Sequence, residues 1–432
     1  MKRYIIAFLV LVLISFGLFL FSQTKHEINI VVSPNELILA VPEAQPPPAN
    51  VVNNPQPLSD IEPQKPLANP PEEIKAVYLT SWSAGNKTKI DYIVDLLKNT
   101  ELNAVVIDIK DFSGYIAYNI KNAEIEKYKA KDIRIPKLNS LIKRLHDENI
   151  YIIARLTVFQ DPVLAKARPD LAVKSKTKNE IWYDNKNLAW IDPAAEAAWD
   201  YNIAIAKDAA NRGFDELNFD YIRFPSDGDL NDLSFPFWDE KIPQSAVIRN
   251  FFKYLRSELK DIRISADLFG LTTISRNDLG IGQIIEDAYA YFDFVSPMVY
   301  PSHYFPGFFG YKNPALYPYE VVRQSMDSAL KRLREYGLKP TTSSTASSTA
   351  TSTIELKNES SQLKAKLRPW LQDFNLGATY NAEMVSKEIQ AVYDAATTTP
   401  ELINGFMLWN PSNIYTKEAL KGFVQKSESS DE

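Results

Sequence analysis

From about residue 75 the hydrophobic pattern of this chain switches repeatedly between period two and period 3.6. Ala76 to Trp82 reads as a strand, and Ile90, Ile93, Leu96 and Leu97 form a helical stripe after it. Ala104 to Asp111 is a second strand. Leu138, Leu141, Ile142 and Leu145, spaced i, i+3, i+4 and i+7, mark one face of a helix. Tyr151 to Phe159 is a third strand, followed by a long excursion rich in lysine and aromatic residues that ends near Trp190. Asp192-Pro193 then predicts an N-cap and a first-turn proline for a helix running to about Arg212. After a fourth strand, Ile248, Phe251, Phe252, Leu255 and Leu259 mark a helix. Strands follow at Arg263 to Phe269, Phe294 to Pro301, Leu367 to Phe374 and Gly405 to Trp409. Helices separate them at about Gly282 to Tyr291, Tyr319 to Tyr336 and Ala382 to Ala395.

The fourth strand lies in the stretch Phe214 to Pro225. Alternation puts Glu216, Asn218 and Asp220 on one face and Leu217 and Phe219 on the other. A row of acid, amide and acid is costly to bury without partners, so it fits a strand lining a wet cavity. Asp220 is the expected centre of an active site there; the plainer reading is a strand-capping Asp paired with Arg223. Eight strands alternating with helices imply a parallel sheet with right-handed crossovers. Over residues 74–415 that predicts an α/β TIM (β/α)8 barrel with insertions. A doubly wound open sheet is the runner-up, but no glycine-rich phosphate loop follows the first strand, and neither a Walker pattern nor a dinucleotide fingerprint is present.

The flanks read differently. Lys2 and Arg3 precede an apolar run from Tyr4 to about Ser22, near the roughly 20 residues that span a bilayer. Residues 1–22 are expected to be an uncleaved transmembrane anchor with the remainder extracytoplasmic. A cleaved signal peptide is the alternative, but Phe-Leu-Phe-Ser-Gln lacks a small-x-small cleavage site. Residues 23–73, proline-rich from about Ser33 with Pro46-Pro47-Pro48 and Pro70-Pro71, are expected to form a disordered, extended spacer. A Thr, Ser and Ala run from Thr341 to Thr353 predicts a low-complexity insertion over about 340–362, and residues 416–432 a polar tail. The 432 residues carry a net charge of -6, which gives no reason to expect nucleic acid. There are no cysteines, and the three histidines, His26, His146 and His303, are scattered, so neither a thiolate nor a histidine-rich metal centre is expected.

Catalytic groups of such barrels project from the C-terminal strand ends. Alternation offers Asp108 and Lys110 on one face of the second strand with Asp111 beyond, Arg155 from the third, Asn218 and Asp220 with Arg223 from the fourth, and Asp267 from the fifth. The sixth offers Tyr300, the seventh Trp370 and Gln372 with Asp373 adjacent, and the eighth Trp409 and then Asn410. Carboxylates and amides suit sugar hydroxyls, and aromatic rings suit sugar C–H faces. Cleaving a glycosidic bond needs two carboxyl groups. Asp220 is expected as nucleophile or charge stabiliser and Asp267 as acid/base, with Asp373 a second candidate acid despite its opposite parity. Asp108 and Asp111 read as hydroxyl ligands, and Arg155 and Arg223 as cations favouring the ionised Asp220. Plainer readings stand beside these: Asp108 with Lys110 as a buried ion pair, Tyr300 and Trp409 as filling of the barrel mouth, and His303 as a loop residue. No cofactor is implied.

Lys75 to Trp82 (Lys-Ala-Val-Tyr-Leu-Thr-Ser-Trp), Val105 to Asp111 (Val-Val-Ile-Asp-Ile-Lys-Asp) and Asn218 to Pro225 (Asn-Phe-Asp-Tyr-Ile-Arg-Phe-Pro) resemble a bacterial family of TIM-barrel glycoside hydrolases of largely unassigned substrate, distantly similar to the alpha-amylase superfamily. The resemblance covers about residues 74–415 and implies that Asp220 stands where that superfamily has its nucleophile. Two positions depart from the pattern: Asp267 stands where the superfamily has a Glu acid, and Asn218 where it has an Arg. The expectation is a membrane-tethered hydrolase of an extracellular or cell-envelope polysaccharide. The alternative from another class is a catalytically inactive carbohydrate-binding barrel of the envelope.

Overall fold

The computed structural model describes residues 59–338 and 365–422. The anchor and most of the spacer fall outside these residues, as do the low-complexity segment and the end of the tail. No helix among the described residues is long and apolar enough to cross a membrane.

Eight parallel strands close into a ring. They are β1 (Ile74–Leu79), β2 (Ala104–Lys110), β3 (Tyr151–Thr157), β4 (Glu216–Asp220), β5 (Ile264–Phe269), β6 (Phe294–Met298), β7 in two pieces (Lys366–Leu367 and Trp370–Gln372) and β8 (Gly405–Trp409). Pairing of Ile74 with Gly405 and of Trp370 with both Met298 and Met407 completes the circle, so the open-sheet alternative falls. Pro369 has no N–H to give the ladder, and β7 breaks there. Ala76, Val106 and Ile153 pack inside the ring. Their neighbours Val77, Val105 and Ile152 pack outward, against the helices.

Two expectations change. Asp108 and Lys110 do not share a face. A bulge in β2 sets Asp108 opposite Arg155 but Lys110 opposite Leu156, one residue out of phase. Lys110 therefore turns into the helix layer, where its Nζ lies 2.8 Å from Asp161 Oδ2 and donates to Asn202 Oδ1. The anticipated Asp108–Lys110 pair does not exist. Likewise Asp192 does not cap a helix, because the helix spans Glu196–Arg212 with Ala195 at its N-cap. Its carboxylate instead accepts the amides of Ala194, Phe237 and Trp238, tying together the long connections after β3 and β4. These connections also pair through Lys174–Ser175 and Leu233–Ser234.

The floor of the ring is closed by charge and by the end of the proline-rich segment. Glu216 and Arg368 form an ion pair with both side chains fully buried. Tyr151 Oη donates to Glu216 and Arg368 Nη1 to Asn404, which supplies the extra hydrogen bonds a buried pair needs. Residues 59–73 lie against the barrel rather than running free. Leu67 packs on the interior cluster, and its amide donates to Asp215 Oδ1 at 2.6 Å.

The helix Leu138–His146 has no side-chain cap of its own. Asp60 supplies one from a distance, accepting the amides of Asn139 and Ser140 at 2.6 and 3.0 Å and the Ser140 hydroxyl at 2.6 Å. It fills the place of an N-cap residue and puts negative charge at the positive end of the helix. Asp60→Ala is expected to lower stability by about 1–2 kcal/mol. Urea unfolding checks this as a lower midpoint with an unchanged slope.

Candidate active site

The cluster at the C-terminal end of the ring is built by strand register. Asp108, Arg155, Asn218 and Ser265 are successive cross-strand neighbours on β2, β3, β4 and β5. Arg155 lies at its centre. Its Nη1 donates to Asp108 Oδ1 at 2.5 Å and its Nη2 to Asp220 Oδ2 at 2.5 Å, while its Nε lies 3.6 Å from Asp267 Oδ2. Because a guanidinium is only a few ångström across, Asp220 and Asp267 are no farther apart than the roughly 9.5 Å over which paired carboxyls cleave glycosides.

Each carboxyl has different company. Asp108 also accepts the Tyr78 hydroxyl. Asp220 Oδ1 accepts the Tyr221 amide at 2.5 Å. Tyr221 holds φ at 51°, in the left-handed region that bulky residues avoid, and this turn is where the strand ends and its amide meets Asp220. Asp267 Oδ1 accepts Asn218 Nδ2 at 2.8 Å and Trp370 Nε1 at 2.7 Å, whereas its Oδ2 has no hydrogen-bond partner among the described residues.

One cation thus faces three buried acids. If all ionised, two uncompensated negative charges would remain in a low-dielectric site. Asp267, with the longest contact to Arg155, is the acid that takes the proton. Burial, reinforced by the charge of Asp220, pushes it up to about 8. Burial raises Asp108 less, to about 6, against the opposing pull of Arg155.

The cleft above this cluster is lined by Arg155, Asp220, Arg223, Asp267, Tyr300, Trp370 and Trp409 from among the expected residues. Tyr300 and Trp409 stack with ring centroids 5.6 Å apart. Asp108 and Asn218 do not line the cleft but hold Arg155 and Asp267 from beneath. Among the described residues Arg223 makes no hydrogen bond to Asp220, and the cation bonded to that acid is Arg155. The remaining candidates stand apart. Asp111 is taken up by Ser113 and Arg134. Gln372 accepts the Ser302 amide and donates to Phe374 O. Asn410 accepts from Ser412. Asp373, the alternative acid, accepts the amide and hydroxyl of Thr416 at 2.8 and 2.6 Å, and burial raises it to about 6. These four support the strand ends rather than the cleft.

Several residues of the site were not anticipated, one beneath the cleft and the others lining it. Tyr78 continues the inward alternation of Ile74 and Ala76 on β1, a signal that was readable. Asp184, Lys186 and Asp227 come from the connections after β3 and β4, where no periodicity marks them. His303, expected as a loop residue, also lines the cleft. Burial, with the charge of Lys186, lowers it to about 4, so the ring is neutral.

A closed parallel barrel with its polar cluster at the strand C-termini belongs with the TIM-barrel enzymes. The chain belongs to the family described as "Putative glycosyl hydrolase domain", matched over residues 76–344 and 335–415, and on that membership it is a glycosidase. A hypothetical protein from Ruminiclostridium thermocellum is 38% identical, the match covering 48% of this chain and 98% of that one with a TM-score of 0.42. The glycoside hydrolase domain of PgaB (BpsB) from Bordetella bronchiseptica shares the fold, with a TM-score of 0.55 over 83% of this chain and 100% of that one at 14% identity. A maltogenic alpha-amylase, AmyB, from Thermotoga neapolitana is 13% identical over 78% of this chain and 67% of its own, with a TM-score of 0.40. No curated protein matches the chain.

Folding raises the proton affinity of Asp267 from the ordinary 3.8 to about 8. The folded state therefore binds a proton that the unfolded chain releases, and this group's contribution to stability falls as pH rises between those values. Asp267→Asn has no such proton to lose. Its melting temperature relative to the parent is expected to climb from about pH 5 to about pH 8 and to level off above that. Thermal scans across that range check this, and a difference that stays flat would place the acid near its ordinary value.

Proposed function

We propose that the protein cleaves glycosidic bonds of an extracellular or cell-envelope polysaccharide through two carboxyl groups, Asp267 as acid/base and Asp220 as nucleophile or charge stabiliser. In this reading the N-terminal apolar run tethers the barrel to the membrane on its extracytoplasmic side. The observation that carries the reading is the contrast between two acids that share one guanidinium. Both Asp220 oxygens receive donors, a charged guanidinium and a backbone amide, which suit an anion. Asp267 holds two donors on Oδ1 alone, so the proton of its neutral form resides on Oδ2. Acids with environments this different divide into proton donor and anion.

The chemistry follows from that division. Asp267 gives its proton to the leaving-group oxygen as the bond to the anomeric carbon breaks; Oδ2 is enclosed in the free site, so the carboxyl turns toward the cleft to do so. Positive charge develops on the sugar and faces the Asp220 carboxylate, which attacks or stabilises it; water then adds to the anomeric carbon, giving one proton back to Asp267 and releasing the sugar. Asn218 and Trp370 fix the orientation of Asp267, and Tyr300 and Trp409 offer rings for stacking against a sugar. A binding barrel would gain nothing from a proton held near neutral pH on an unbonded oxygen, which favours hydrolysis over the inactive carbohydrate-binding alternative.

The test is the chain from residue 59 onward, assayed on a polysaccharide panel beside Asp220→Asn and Asp267→Asn. Both variants are expected to lose about 10²–10⁴-fold in kcat/KM while keeping the fold. The parent's kcat/KM should fall on the alkaline side near pH 8, following Asp267. Full activity in Asp220→Asn would remove that residue from the mechanism.

A further inference from the structure

Five basic side chains are buried among the described residues: Lys110, Arg155, Arg223, Arg332 and Arg368. Four of them have a carboxylate within 4.0 Å, namely Asp161 for Lys110, three acids for Arg155, Glu286 for Arg332 and Glu216 for Arg368. Arg223 has none among the described residues, although it is only 6% exposed. A buried guanidinium without a counter-ion is costly, and a fold retains one where something outside the chain completes it.

The geometry of Arg223 indicates what that is. Its guanidinium is wedged among the rings of Trp190, Tyr221 and Phe269, with centroids at 4.7, 5.2 and 4.7 Å. Nη1 is committed to Phe224 O and Ser226 Oγ, both at 3.0 Å. That leaves Nε and Nη2, the two nitrogens whose N–H bonds run parallel along one edge of the group. Neither donates to another described residue. Neither is among the enclosed polar atoms that lack a partner, so each keeps some exposure, and Arg223 lines the cleft. Asp220, Asp227 and Asp184 attract the guanidinium from beyond 4.0 Å, each bonded to other donors: Asp184 accepts Lys186 N, Leu188 N and Trp190 Nε1, Asp227 accepts Asn185 N, and Asp220 is held by Arg155. An unused Nε/Nη2 edge is a two-pronged donor that matches the two oxygens of a carboxylate. Lys186 adds a second positive charge to the same cleft.

We propose that Arg223 is a specificity-determining residue that grips the carboxylate of an acidic sugar, so that the polysaccharide cleaved carries uronic acid residues. This rests on the hydrolase reading of the cleft and names its substrate class. The flanking rings hold the guanidinium flat and in one orientation, so little freedom is lost when the carboxylate docks.

The experiment compares oligosaccharides of a uronic acid-containing glycan with the same material after chemical reduction of its carboxyl groups to neutral alcohols. Binding is measured by calorimetry and cleavage by product release, for the parent, Arg223→Gln and Arg223→Lys. The parent should favour the acidic form by about a hundredfold. Arg223→Gln should abolish that preference, and Arg223→Lys, which keeps charge but not the fork, should restore only part of it. A purely structural Arg223 would instead lower the melting temperature and affect both ligands equally, overturning the proposal. Equal handling of the two ligands by the parent, failure to bind the acidic form, or preference for a sulfated or phosphorylated glycan would also overturn it. Cleavage of neutral glycans would leave the hydrolase reading intact in each of those cases. That reading falls separately, if no glycan in the panel is cleaved by the parent any faster than by Asp220→Asn.

Discussion

A single guanidinium shared among three buried acids sets the state of this site. Arg155 bonds Asp108 and Asp220 and only approaches Asp267. Charge balance within a buried cluster cannot be met by one cation for three anions, and the shortfall is resolved by protonation. Geometry decides where. The acid with the weakest hold on Arg155 also has an unbonded oxygen, and it keeps its proton through neutral pH. Which acid keeps a proton is thus set by how Arg155 is aimed, and the aim is set by Asp108, which is itself anchored by Tyr78 from β1.

The same strand shows how a barrel separates structural charge from working charge. β4 turns Glu216, Asn218 and Asp220 inward in succession. Glu216 at the floor meets Arg368 one to one, fully buried, with Tyr151 supplying a further hydrogen bond. Asn218 in the middle is a neutral spacer whose amide nitrogen reaches both Ser265 and Asp267. Asp220 at the rim joins the unbalanced cluster. A one-to-one ion pair beneath and an unbalanced set above is the expected arrangement if the floor must stay shut and the rim must exchange protons.

The polar row on β4 was legible in the sequence because alternation alone reveals it, and the same parity nominated Arg155, Asp267, Trp370 and Trp409. Parity failed where the backbone departs from regularity. The bulge in β2 separates Asp108 from Lys110, and no glycine or proline announces it. Asp192 looks like a helix cap because Asp-Pro commonly is one. Its partners, the amides of Phe237 and Trp238, are some 45 residues away, and no local pattern encodes them. The docking of residues 59–73 was hidden for a related reason. Composition marks a proline-rich stretch as unable to form a core, but Asp60 and Leu67 act by capping and plugging a core made elsewhere. Asp373 has the opposite parity, and its engagement with Thr416 shows why an acid near a strand end need not face the cleft.

The two long connections after β3 and β4 give the site its asymmetry. Joined by Asp192 and by the pairing of Lys174–Ser175 with Leu233–Ser234, they form one wall, and Trp190, Tyr221 and Arg223 come from that wall. The strands carry the three acids around Arg155, and the wall carries Arg223, which among the described residues has no carboxylate within 4.0 Å. Register fixes the acids and a cage of rings fixes Arg223, so the proposed chemical step and the proposed selection of substrate rest largely on separate supports, which meet where Phe269 follows Asp267 on β5 and where the Tyr221 amide bonds Asp220. On that reading, changes in the wall beyond Tyr221 would alter which sugar is held while register keeps Arg155, Asp220 and Asp267 in place. That separation fits a fold whose barrel supplies a constant reaction and whose connecting segments vary the polymer it acts on.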